Sequence, residues 1–143
     1  MMNPYFVQTV MNAGPVELVQ LLHQKAIALV KGAREHLRSG RIADRAQTIG
    51  NAYAVIAELQ NSLRPEVAPD LTARLQGLYL YMQRLLLEAN FKQTDAPLAE
   101  TISLLSTLSD GWTGVMLQSA RTESNDRWVD RGVTQEMGQM VLA

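Results

Sequence analysis

The chemistry open to this chain rests on two histidines, His23 and His36, because it contains no cysteine. Without thiols there is no disulfide, no thiolate zinc site and no cysteine nucleophile. A di-iron site in a helical protein asks for inward glutamates and a Glu-x-x-His pair on each of two helices. Neither histidine has a glutamate three residues before it. No Cys-x-x-Cys-His and no Gly-x-Gly-x-x-Gly occurs, so the haem-attachment and dinucleotide fingerprints are missing as well. Two histidines also leave little choice of base for a Ser-His-Asp arrangement. The expectation is no metal, no cofactor and no catalytic site.

One reaction keeps a foothold. Histidine phosphotransfer domains are small four-helix bundles with an exposed His followed by Lys and Gly within a turn, and His36-Leu37-Arg38-Ser39-Gly40 is loosely similar. A receiver partner needs that His in mid-helix, whereas Ser39-Gly40 reads as a helix stop. His36 is then a surface residue near a helix C-terminus, where the dipole favours it. A phosphotransfer module using His36 stays as the alternative reading. His23 reads as a partly buried bundle residue and not as a ligand.

The elements that hold these residues are helices. Of the 143 residues 47% are hydrophobic but only 6% aromatic, and the apolar content is mostly Leu, Ala, Val and Met, which suits helix packing better than a sandwich of strands. Thirteen basic residues stand against fourteen acidic ones for a net charge of -1. No cationic field gathers phosphates, so nucleic acid is not an expected partner. The opening MMNPYFVQTVMN lacks the basic and long apolar regions of a secretory signal. No run approaches the ~20 apolar residues of a bilayer span, so no membrane insertion is expected and the chain is read as soluble and cytoplasmic.

Breaks fall at Ser39-Gly40, at Pro65 to Pro69 and at Thr94 to Pro97. Pro15 suits the first position of a helix, with Gly14 as its cap, and Leu18, Leu22, Ala26, Leu29, Ala33 and Leu37 follow at helical steps. A second stripe is Ile42, Ala46, Ile49, Tyr53, Ile56, Leu59 and Leu63, stopped by Arg64-Pro65. A third helix runs from about Asp70 to Phe91 on Leu71, Leu75, Leu78, Met82, Leu85 and Ala89. The fourth carries Leu98, Ile102, Leu105, Leu108, Trp112 and Val115. Short links between long helices imply antiparallel neighbours. The fold read from the sequence is all-α, an antiparallel up-down-up-down four-helix bundle over residues 15–122. An N-terminal arm occupies 1–14 and a loose, flexible tail 123–143.

The third helix, GLYLYMQRLLLEANFK, has more apolar surface than a bundle position needs. Leu80, Leu87 and Phe91 point roughly opposite Leu78 and share a face with Ala73, with Glu88 and Lys92 among the few charges that interrupt it. Two readings stand side by side. Either this helix lies centrally, or covers a loop, the arm or a dimer partner, or its outer face is a groove for an amphipathic helix.

Several stretches here are similar to the flagellin export chaperone family, FliS. They are Asn3-Pro4-Tyr5 in the arm, Pro15-x-x-Leu18 with Leu21-Leu22, Leu78-Tyr79-x-Tyr81-Met82-x-Arg84 with Ala89-Asn90, and Asp110-Gly111-Trp112. The third stretch is the most specific, and the order of all four covers most of the chain. Departures from the family pattern are Gly14 for Ser, His23 for Tyr, Leu80 for Asp, Leu85 for the second Arg of a pair and Gln93-Thr94 for Asn-Asp.

The resemblance implies a cytoplasmic chaperone that binds the disordered C-terminal segment of flagellin. It prevents premature polymerisation and assists delivery to the flagellar type III export apparatus, with the export gate as a further partner. Candidate flagellin-binding residues are Tyr5, Val7, Tyr79, Leu80, Tyr81, Arg84, Leu87, Asn90 and Phe91. Tyrosines offer large contact area with a polar tip, and Arg84 a partner for carboxylates. The arm residues Met2, Tyr5, Phe6 and Val7 are apolar enough to plug the groove as a tethered competitor. A homodimer through the third helix, when no client is bound, stays open.

Overall fold

A computed structural model describes residues 15–122 of the chain, with side chains as far as Gly114. The arm and the tail lie outside the described residues. Four helices make up the rest: α1 Pro15–Arg38, α2 Ile42–Asn61, α3 Pro69–Lys92 and α4 Ala96–Thr122. Among the described residues there is no strand, and no helix is long and apolar enough to cross a membrane.

The breaks act where the residue chemistry places them. Pro15 opens α1. Gly40 takes φ 70°, and the Arg41 and Gly40 amides donate to the carbonyls of His36 and Leu37 at 3.0 and 3.3 Å. That pair of bonds closes a Schellman stop, for which a residue without Cβ is best suited. α2 ends about a turn before the proline expected to stop it, with the Ser62 hydroxyl donating to the Leu59 carbonyl at 2.7 Å. α3 begins on Pro69.

The helices close into a ring in which α1 and α3 each pack on both α2 and α4. α1 and α4 run antiparallel, because Gln20 donates to Thr113 near one end and Arg34 meets Asp95 near the other. The Arg34 guanidinium is bidentate on the carboxylate, at 2.7 and 2.8 Å, and it holds Asp95 below the usual carboxylate range. Val19, Val30, Ile56, Leu59, Met82, Leu86, Leu98, Leu105 and Trp112 are buried in the centre.

Two stripes hold only in part: Leu22, Ala26 and Ala33 in α1, and Ile49, Ile56, Leu59 and Leu63 of the second stripe, are buried as read, and the other positions shift. In α1 the deep residues are Val19, His23, Ala26 and Val30, while Leu18, Leu29 and Leu37 pack only partly buried at the rim. In α2, Ile42, Ala46 and Tyr53 face outward, not into the core. Arg45 takes the inward place at the start of α2. It reaches the end of α3, donating to Asn90 Oδ1 at 3.1 Å, to the Asn90 carbonyl at 3.4 Å and to Gln93 Oε1 at 3.4 Å. A guanidinium there satisfies carbonyl oxygens at the negative end of a helix dipole. It also supports Gln93, which adopts a left-handed φ of 53° that non-glycine residues seldom take.

Candidate functional site

α3 carries two apolar arcs, and they have different fates. The inner arc contains Tyr79, Met82, Leu86 and Ala89, all fully buried. Tyr79 was expected to offer its ring to a partner, and the structure corrects this: its side chain faces the core. Its hydroxyl lies 2.9 Å from His23 Nε2, while His23 Nδ1 lies 2.8 Å from the Val19 carbonyl. A carbonyl only accepts, so Nδ1 carries the proton, Nε2 is the lone pair and Tyr79 donates to it. His23 is therefore neutral and entirely buried, deeper than the partly buried place read for it. Burial drives its pKa from 6.5 to about 4 and pushes the Tyr79 phenol up. The Trp112 indole is buried 6.3 Å from the His23 ring, and its N–H lies close enough to the Tyr79 hydroxyl to oppose, in part, the rise that burial causes in that phenol.

The outer arc is exposed. Leu80 is 46%, Leu87 55% and Phe91 86% accessible. Arg84 stands exposed among them with no ion-pair partner in the described residues. Three bonds fix the register of α3 against α2. Gln76 Nε2 donates to the Gln60 carbonyl, Gln83 Nε2 to the Tyr53 carbonyl, and Arg45 to Asn90. The bonds descend α2 as they climb α3, so the two run antiparallel with Tyr53 at the height of Gln83, between Leu80 and Leu87. Ile42 falls at the same end as Phe91. Both α2 residues are exposed and join the α3 residues along one seam. Sequence periodicity missed them because it had assigned both to the core.

The remaining candidates separate. Tyr81 is exposed on the α4 side, where its hydroxyl donates to Glu100 and that bond raises its pKa. Asn90 is half-buried, and its amide oxygen and carbonyl are both taken by Arg45, which makes it a structural residue first. Tyr5 and Val7 lie outside the described residues, as does the plug expected of the arm. His36 Nδ1 accepts from Arg41 Nε at 3.0 Å, in the last turn of α1, two residues before its end.

What the face could do chemically is bind. It offers apolar side chains on a rigid helix pair with a lone cation among them, the ingredients of helix-in-groove recognition. The sequence profile of the family described as Flagellar protein FliS matches residues 1–119. The chain belongs to this family. It is 33% identical over 106 residues to the flagellar secretion chaperone FliSB of Pseudomonas aeruginosa, a match covering 74% of this chain and 84% of the relative. The FliS chaperone of Salmonella typhimurium is 28% identical over 116 residues, 80% of this chain and 86% of its own. That of Bacillus subtilis is 26% identical over 134 residues, 92% and 96% of the two chains. By its FliS membership the chain is a flagellar export chaperone and not an enzyme.

Proposed function

We propose that the outer seam of α2 and α3 holds the C-terminal segment of flagellin in the cytoplasm. Held there, the segment does not polymerise early and is passed to the flagellar type III export apparatus. The observation that carries this reading is the exposed apolar arc Leu80, Leu87 and Phe91, extended by Tyr53 and Ile42, on a chain of the FliS family. A contiguous apolar surface on a monomer marks an interaction site. A disordered segment with amphipathic stretches can cover such a surface, and the entropy lost on ordering it keeps the complex releasable. Arg84, among the seam's apolar side chains, would contact polar groups of the client, and Tyr81 would do so only where the client reaches the α4 side of α3. Contact with the export gate, and a homodimer formed when no client is present, belong to the same proposal.

The test is calorimetric titration of the full chain with the C-terminal segment of the same organism's flagellin. The expected result is saturable binding with a negative heat-capacity change, the mark of apolar burial. Absence of binding to that segment, with a folded chain, overturns the reading.

A further inference from the structure

The rings of Tyr79 and Trp112 both stand against His23, at 5.8 and 6.3 Å between centroids, so the two residues share one level of the bundle. α3 and α4 are joined by a short connection at the opposite end, and they therefore run antiparallel. Tyr79 lies as far past the start of α3 at Pro69 as Trp112 lies before the end of α4 at Thr122. The end of α4 is thus level with the opening of α3, and residues 123–143 continue the chain from that level. At 1.5 Å per residue, Leu80 is roughly 17 Å and Phe91 roughly 33 Å further along α3.

The sequence beyond Thr122 has one apolar pattern. Val129, Val133, Met137 and Met140 recur at steps of four and three, bordered by Asp130 and Glu136. Val129 and Met140 are as far apart in sequence as Leu80 and Phe91, so as a helix this pattern equals the exposed arc in length. Residues 123–128, extended, bridge up to about 20 Å, which brings Val129 to the beginning of the arc. Charge agrees with the match. Residues 123–143 carry Glu123, Asp126, Asp130 and Glu136 against Arg127 and Arg131, and the charge set among the apolar side chains of the arc is the cation of Arg84. Gly132 and Gly138 make such a helix weak by itself, so it needs a surface to form on and yields to a competitor.

We propose that residues 129–141 seat as a helix on the outer arc of α3 when no client is bound, with Val133, Met137 and Met140 against Leu80, Leu87 and Phe91. Tethered at the end of α4, the segment competes for the arc at an effective concentration on the order of millimolar, and a client must displace it. The competition rests on the reading of the seam as the client site. The seating does not.

The experiment uses the full chain, whose lack of cysteine lets a nitroxide be placed at one chosen position. Without flagellin, a label on Gln139→Cys is expected to broaden the amide resonances of Leu87 and Phe91. Those of Ala28 and Lys31, on the exposed surface of α1, should be unchanged. Met137→Asp with Met140→Asp should abolish the broadening and tighten binding of the flagellin C-terminal segment by about threefold or more. Absence of broadening on α3, or broadening that survives the double variant, overturns the seating. Broadening passed from a labelled chain to a second, isotope-enriched chain gives the arc to another copy. Broadening from Gln8→Cys alone gives it to the N-terminal arm, and either result overturns the proposal. Equal flagellin affinity in the double variant overturns the competition. Failure of the unaltered chain to bind flagellin overturns the client reading, and the labels still decide the seating.

Discussion

Tyr79 donates its hydroxyl proton to His23 Nε2 across 2.9 Å, joining α3 to α1 through the middle of the bundle. The bond makes a polar pair tolerable where neither group meets water, and it fixes one tautomer of the imidazole.

That pair makes stability depend on acid. The folded His23 has a pKa of about 4, against 6.5 for the ordinary group. Between these values the unfolded chain takes up a proton that the folded chain refuses, so unfolding gains as pH falls. The stability is fully present above pH 6.5 and is lost progressively toward pH 4, by about 3 kcal/mol at the lower limit. Urea midpoints measured across this range should fall with acid, and His23→Gln should flatten the part of the slope due to this group. An equal slope in that variant refutes the assignment.

Much of the helical frame was legible in the sequence. Pro15 and Gly40 mark their boundaries by backbone chemistry alone, which does not depend on what packs against the helix. The faces were harder. Tyr79 and Leu80 are adjacent on a helix with two apolar arcs, and hydropathy does not say which arc faces the neighbours. Only packing against His23 and Trp112 decides that Tyr79 belongs inside. Tyr53 was misplaced for the converse reason. Arg45 reads as a surface charge until the end of α3 gives it carbonyls to meet, and its inward place turns Tyr53 and Ile42 outward to the site.

Arg45 should be hard to replace. Its guanidinium reaches Asn90 and Gln93 together, and only 5% of the residue is accessible. Arg45→Ala leaves those acceptors without a donor and is expected to cost about 2–3 kcal/mol. Arg45→Lys should recover only part of this, because an ammonium cannot span the same acceptors in one plane. Chemical denaturation of both variants checks the order, and full rescue by Lys would show that charge alone suffices.

The outer seam should behave in the opposite way. Leu80 and Leu87 are largely exposed, so Leu80→Ser with Leu87→Ser should move stability by less than about 1 kcal/mol. Client affinity should fall by roughly tenfold or more, since apolar anchors dominate such interfaces. Denaturation and titration of one variant separate the two effects. A large loss of stability would place these side chains among the structural ones.

Two glycines give a contrast of sign. Gly40 holds φ 70°, a conformation that resists any Cβ, so Gly40→Ala should destabilise by about 1–2 kcal/mol. Gly50 sits in a helix interior with open space around its Cα. Gly50→Ala should therefore stabilise the free protein by up to about 1 kcal/mol. Thermal melts of the two variants should shift in opposite directions, by roughly 3–6 °C each. A lower melting point for Gly50→Ala would show that the helix needs glycine at this turn, and a higher one for Gly40→Ala would refute the left-handed stop.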